Sequence, residues 1–434
     1  MKRIFFYTAI LLFQLPVLAQ NGGSTTVKRP VIQASGKPEL AGFSSERLLK
    51  LDQNLSAWVN DKRLNGCVAL IIRNGKIVYH KAFGYDDLQK TKPMQADNIF
   101  RIASQTKAIT STAVLILYED GKLLLDDPVS KYIPAFAKQQ VLDKFNEADT
   151  TYTTVPAKSE VTIRQLLTHT SGISYPQIGT KTANAIYAKA GLLAGIGVEP
   201  GRSLADDVNT IAKLPLMHQP GEKWTYGFNT DILGYLVEVI SGMSLDEFFR
   251  KRIFEPLGMN DTYFYIPPAK QNRLVSLYEE KDSVLVKSTG KVDFNGMVNS
   301  DYPLTKSSYY SGGGGLSSTA MDYAIFLQMI LNGGEYNGKR ILSRNTVRMM
   351  TMNQIGDVVF GVNKFGLGFG ITTERGSALL PTPEGVFDWG GAFATTYWAD
   401  PKEKLIGIFY RQLWHSTIGE IANKYKVLVY QALE

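Results

Sequence analysis

Ser104 and Lys107 stand three residues apart in RIASQTKAIT, at the head of an apolar stretch. A serine hydroxyl is a poor nucleophile until a base takes its proton, and a lysine amine takes one only when uncharged. On a helix, positions i and i+3 share a face, so the amine reaches the hydroxyl. The first turn of a helix leaves backbone N–H groups unpaired, and with the dipole these favour an alkoxide or oxyanion. Burial penalises the charged form of an amine, so a partly buried lysine at this place could offer its lone pair as a base. The spacing alone is a weak signal. It recurs at Ser288 in STGK, a polar stretch with no helix behind it.

Two further segments supply what such a pair needs. Tyr226, in QPGEKWTYGFNTDILGYL, follows a Pro-Gly turn and precedes a helical pattern. A phenol beside a cationic lysine can lose its proton and relay others. Packing is the ordinary role of any one of the 22 tyrosines. In FDWGGAFATTYWADP, Gly390 and Gly391 stand just before a strand pattern, where glycine lets a ligand approach the backbone. The N–H of Ala392 can then join that of Ser104 as an oxyanion hole. The plain reading of the same residues is a strand-entry turn.

Other chemistries find less support. There is no G-x-S-x-G elbow, and none of the four histidines pairs with another at metal spacing. No metal or organic cofactor is expected. His169, in LLTHTSGI, is read as serving a helix end, and nothing points to a Ser-His-Asp triad. The glycines of SGGGG, residues 311–315, lack the G-K-[ST] of a phosphate loop and read as a flexible or close-packed turn beside the site.

The elements that must position these residues follow from periodicity. A helical pattern starts near Ser44. GCVALIIRNG and KIVYHKAFGY read as strands hinged at Asn74-Gly75, the strongest short hairpin signal. TKAITSTAVLILYEDGKLLL is helical and stops at Gly121. The middle is turn-rich, with helical stretches such as VTIRQLLTH and TDILGYLVEVISG. FATTYWAD and KLIGIFYR return to strands, and TIGEIANKYKVLVYQALE closes as a helix. The expected fold is α+β: an antiparallel sheet built from both ends of the chain, sandwiched with helices. The catalytic domain is placed at 44–434, with its sheet part about 44–125 and 302–434 and a helical insertion about 126–301.

Composition sets the remaining bounds. The chain has 434 residues, 44% hydrophobic and 20% charged, ample for a large core. The net charge of +7 is scattered, with no basic run, so no nucleic-acid partner is expected. Residues 1–19, basic MKR followed by a short apolar run with Val17 and Ala19 near its end, match a secretory signal cut after Ala19. Export to the periplasm or outside is therefore expected, with no stable membrane span after cleavage. Residues 20–43, rich in Gly, Ser and Pro, read as a linker. The single cysteine, Cys67, reads as core packing. The oligomeric state is left open.

In combination, SQTKAITSTAVLILYEDGKLLLDDPVSKYIP, LLTHTSGI, QPGEKWTYG, SGGGGLSSTAMDYAIFLQMILNGG and WGGAF resemble the serine β-lactamase and penicillin-binding protein superfamily, in its class C-like branch. The likeness runs from about Ser44 to the C-terminus. It implies Ser104 as acylated nucleophile, Lys107 as its base partner, Tyr226 as the second proton-handling group, and an oxyanion hole from the N–H groups of Ser104 and Ala392. Two departures bear on substrate. The family's β-lactamases carry Tyr-x-Asn, and an ungapped alignment puts Phe228 in the asparagine slot, with Asn229 one place later. Their Lys-Thr-Gly or His-x-Gly motif is here Trp389-Gly390-Gly391. Both changes resemble family VIII carboxylesterases and related acyltransferases. They make Phe228, Trp389, Gly390 and Gly391 the expected substrate-binding residues, in an aromatic mouth suited to a neutral acyl group. The reading is a serine hydrolase working by acyl transfer on a small ester or amide, ester favoured. Its alternatives are a β-lactamase or D,D-peptidase acting on cell-wall peptides, and a catalytically silent binding or sensing module.

A fluorophosphonate probe is expected to modify Ser104, as read by peptide mass spectrometry. Modification of Ser288 or another serine, with Ser104 untouched, overturns the nucleophile assignment.

Overall fold

The computed structural model describes residues 29–434 apart from 35, 193–194, 197, 199–200, 283, 289, 293–297 and 415–418. The signal-like residues 1–19 and the first part of the polar stretch lie outside the described residues. The main sheet has eight strands: β1 Gln33–Ala34, β2 Gly66–Arg73, β3 Lys76–Gly84, β4 Lys364–Phe365, β5 Gly370–Ile371, β6 Phe387–Gly391, β7 Thr395–Asp400 and β8 Leu405–Tyr410. Their order is β1-β3-β2-β8-β7-β6-β5-β4. β1 runs parallel to β3, and the other neighbours are antiparallel. The two ends of the chain meet between β2 and β8, where Leu70 pairs with Ile408.

The expected hairpin forms for a specific reason. Asn74 (φ 53°) and Gly75 (φ 73°) are both left-handed, as a type I′ turn between right-twisting strands requires. The seven residues Gly66–Ile72 of β2 are all buried, because both faces of the sheet are covered. Cys67, Ala69 and Ile71 join a cluster with α1 (Ser45–Asn60) and the C-terminal helix, through Leu51, Leu55, Tyr425 and Val429. Cys67 is thus core packing, as read. Val68, Leu70 and Ile72 face the larger cluster, which holds Ile109 and Ala113 of α2 (Thr106–Glu119). α2 stops where Gly121 turns left-handed at φ 69°.

α3 (Ile163–Leu167) and α4 (Asn229–Ser241) lie in the segment read as a helical insertion. That segment also carries strands. Gln140–Phe145 pairs with Tyr152–Pro156, and Tyr278–Lys281 with Val284–Lys287. These hairpins are short and largely exposed, so their side chains carry little hydrophobic alternation to read. The stretch read as a linker differs likewise. Gln33–Ala34 pairs with Lys76–Ile77, and Pro38–Ala41 forms a 3₁₀ turn. An exposed edge strand is held through backbone groups, which leave no side-chain pattern. Among the described residues, no helix is long and apolar enough to cross a membrane.

The sheet tolerates little extra volume near its centre. Trp398 on β7 is paired with Gly407 on β8, and a Cβ at 407 would fall 2.2 Å from the indole. Gly407→Ala is expected to lower the unfolding free energy by about 1–3 kcal/mol. An unchanged urea midpoint would contradict this account of the packing.

Candidate active site

Ser104 sits one turn earlier than periodicity suggests. Ala103–Gln105 form a 3₁₀ turn leading into α2, and Ala103 is left-handed at φ 43°. A non-glycine residue there is an uncommon conformation of the kind that clusters at functional sites. Ser104 is half-buried, whereas Lys107 on the first turn of α2 is only 3% exposed. Lys107 Nζ stands 3.2 Å from Ser104 Oγ and donates to the Gly313 carbonyl at 2.6 Å. It also lies over the ring of Tyr226, 4.7 Å from its centroid. Tyr226 Oη stands 2.7 Å from Ser104 Oγ. The three side chains singled out from sequence therefore meet at one oxygen.

Tyr226 is delivered by a segment bonded along the loop after α3. Met217 N donates to Gly172 O, Gly221 N to Thr170 O and Thr225 N to His169 O. Gly227 then passes so close to Ile173 that a Cβ would lie 2.1 Å from its carbonyl oxygen. His169 does follow a helix end, at φ 56°, but it has a second role that the sequence reading missed. Its ring packs 4.9 Å from that of Tyr226, and its Nδ1 lies 2.9 Å from the Asn229 amide nitrogen. Burial, reinforced by the charge of Lys107, holds the imidazole well below its usual pKa. The neutral ring accepts at Nδ1 and backs the phenol without competing for its proton.

Of the two forms expected for it, the glycine loop takes the close-packed one, and its partner is Asp231 on α4. Asp231 is 1% exposed. Its Oδ1 accepts from Ser311 Oγ at 2.6 Å and from Gly313 N at 3.1 Å. A Cβ at Gly313 would fall 2.3 Å from Oδ2. Asp231 thus holds the N–H of the residue whose carbonyl holds Lys107. Burial pushes the Asp231 carboxyl up, and the charge of Lys107 draws it back down. The signal available in the sequence was an aspartate within the apolar run of TDILGYL, since a buried carboxylate needs partners.

The remaining candidates divide. Trp389 is half-buried on β6, 5.8 Å from Tyr226. Trp224 and Phe360 stand 4.5 Å apart beside it and complete an aromatic wall. Phe228 is fully buried, packed 4.7 Å from Tyr175 and 6.2 Å from Tyr187. It therefore does not line the opening, contrary to expectation, because its ring completes the core beneath α4. Asn229 is buried as well and turns its amide to His169 and Ser171. Gly390 and Gly391 stand ahead of strand β7, as expected, and also end strand β6. A Cβ at Gly391 would lie 2.3 Å from Ile102 O, so the close approach there is made by the chain itself and not by a ligand. That approach brings exposed Ala392, in the β6–β7 turn, beside the Ile102–Ser104 segment. Ser288 donates its hydroxyl to Glu279.

Shared contact with one oxygen has a kinetic signature. Lys107→Ala and Tyr226→Phe are each expected to lower kcat by about 10²–10⁴, and the double variant by little more. Losses that multiply in the double variant would assign the two groups separate steps.

Residues 51–431 match the protein family described as Beta-lactamase. A D-alanyl-D-alanine carboxypeptidase-like protein of Escherichia coli K12 is 29% identical over 448 residues, covering 97% of this chain and 93% of the relative. Esterase EstB of Burkholderia gladioli is 29% identical over 364 residues, covering 81% and 86%. The solved structure of EstCE1, a hydrolase with promiscuous acyltransferase activity, superposes with a TM-score of 0.75 at 24% identity, covering 89% of this chain and 99% of that one. Because the match takes in both halves of the sheet and the helices between them, this chain belongs to the beta-lactamase family.

Proposed function

We propose that this chain is an exported serine hydrolase that forms an acyl-enzyme at Ser104 and favours small, uncharged esters. The observation that carries the reading is the convergence of Lys107 Nζ and Tyr226 Oη on Ser104 Oγ beside the aromatic wall. Ser104 Oγ attacks the ester carbonyl while Lys107 and Tyr226 take its proton. The oxyanion meets the N–H groups of Ser104 and Ala392, where the loss of one such donor costs about 10²–10³ in kcat. Tyr226 returns a proton to the leaving oxygen. Water or another acceptor then releases the acyl group. The scheme calls for no metal or organic cofactor. Export rests on the leader-like residues 1–19.

The preference for esters rests on three side chains. Trp389 occupies the place where the resembled β-lactamases carry a cation or imidazole, which would hold a carboxylate. Phe228 fills the asparagine slot and is buried. The Asn229 amide is already engaged by His169 and Ser171. A β-lactam therefore meets fewer polar partners for its acylamide and carboxylate. An ester carbonyl is also easier to attack than a planar amide, so fewer clamps suffice. The esterase among the relatives agrees with this reading, whereas the carboxypeptidase-like relative favours action on cell-wall peptides.

The comparison that decides is kcat/KM for p-nitrophenyl butyrate against a chromogenic cephalosporin. The ester is expected to win by about 100-fold, since each hydrogen bond to a charged or polar group is worth roughly 1–3 kcal/mol. A clear preference for the cephalosporin would replace this reading with the β-lactamase or peptidase one.

A further inference from the structure

A second cleft, of about 610 Å³, opens between the short helix Leu245–Phe249, the segment 254–271 and the segment 304–310. None of the residues assigned to the active site lines it. Its volume lies within the range of small-ligand sites. Much of its wall is apolar, with Phe254, Met259, Ile266, Tyr265 and Tyr310. Tyr265 and Tyr310 form a corner, their ring centroids 5.8 Å apart and their planes tilted by 57°. The corner is fixed from outside. Tyr265 Oη donates to the Tyr309 carbonyl at 2.6 Å, and the Tyr310 ring stands edge-on to Phe264 at 5.3 Å.

Four charged side chains line the cleft: Asp246, Arg250, Glu255 and Lys306. Arg250 and Glu255 neutralise each other at 2.7 Å. Among the described residues, neither the Asp246 carboxylate nor the Lys306 ammonium makes a hydrogen bond or a close ion pair. Asp246 is half-buried and Lys306 is exposed. Burial pushes the Asp246 carboxyl up, and the charges of Arg250 and Lys306 draw it back down. Burial and then the charge of Asp246 raise the Tyr310 phenol, so carboxylate and ring face the same part of the cleft.

A half-buried carboxylate with no donor has lost water and gained no partner. An ammonium supplies both the N–H groups and the charge, and the face of a tyrosine ring attracts it further. A simple cation would also meet Lys306, which repels it. A ligand that carries its own carboxylate makes Lys306 a partner instead, and an apolar body between the two charges covers the aromatic wall. We propose that this cleft binds a small zwitterion, an amino acid or short peptide with apolar side chains and free ends, with its ammonium on Asp246 beside Tyr265 and Tyr310 and its carboxylate on Lys306.

The cleft reaches the glycine loop through the chain. Tyr310 precedes Ser311, whose Oγ donates to Asp231 at 2.6 Å, and Gly313 of the same loop accepts from Lys107. An occupant that fixes Tyr310 therefore also steadies the loop that holds Lys107. This consequence for catalysis rests on the proposed function; the binding site does not.

The test is calorimetric titration of the full chain with leucine, dileucine and trileucine. At least one is expected to bind saturably, and which one does so tells an amino-acid site from a peptide site. The N-acetyl derivative and the C-terminal amide of that ligand are each expected to bind about 10-fold more weakly, since each loses one charge-assisted contact. Asp246→Asn is expected to weaken the parent ligand by the same factor and the N-acetyl derivative no further. Lys306→Gln is expected to stand in the same relation to the amide. No binding by any of the three ligands overturns the proposal, as does an affinity that Asp246→Asn leaves unchanged. An amide that binds as tightly as the free acid makes the cleft a simple cation site and overturns it too. Asp246-dependent binding in a protein that hydrolyses no ester upholds the cleft and removes the esterase reading instead.

Discussion

The burial of Lys107 is the constraint from which the rest of the site follows. An amine taken out of water beside an apolar core costs several kcal/mol unless its N–H groups find partners. Here they find the Gly313 carbonyl and Ser104 Oγ, with the faces of Tyr226 and Tyr175 around them. The Gly313 carbonyl is useful only if the loop cannot rotate. Asp231 prevents that rotation by gripping Gly313 N and Ser311 Oγ. The carboxylate in turn needs glycine around it. A Cβ at Gly195 would stand 3.0 Å from Oδ1, and one at Gly313 2.3 Å from Oδ2. Thr110, one turn beyond Lys107, bonds to Gly312 O and ties α2 to the same loop.

The sheet supplies the opposite wall by similar means. Gly391 lets β6 close on the Ile102 carbonyl, and Trp389 on the same strand presents its ring to Tyr226. Arg411 and Gln412, just past β8, hold the β6–β7 turn and the Arg101 backbone through Ala394 O and Arg101 N. The site thus stands between a helix, a glycine loop and a strand end, all packed into one core. Side chains held in this way need little reorganisation as charge develops on a reacting oxygen.

What could be read in advance depended on how local the cause was. The helices from Ser45 and Thr106 and the hairpin at Asn74-Gly75 are set by periodicity, capping and turn chemistry within a few residues. The pairing of Gln33–Ala34 with β3 and the short hairpins of the insertion are backbone-driven and left no comparable pattern. Phe228 shows the same limit at the site. Its place in a motif suggested contact with substrate, yet its ring is enclosed by Tyr175 and Tyr187, which lie about 50 and 40 residues away in the chain.

Sequence alone singled out the candidate set. Ser104, Lys107 and Tyr226 are chemically distinctive, and the first two share a helix-like spacing that brings them together whatever surrounds them. Tertiary structure decided how that set is held. His169 behind the phenol, Asp231 behind the glycine loop, Gly391 against Ile102 and Arg411 on the Ala394 carbonyl all depend on segments distant in sequence meeting within a few ångströms. A buried polar group is costly or favourable according to its partners, and those partners exist only once the chain has packed.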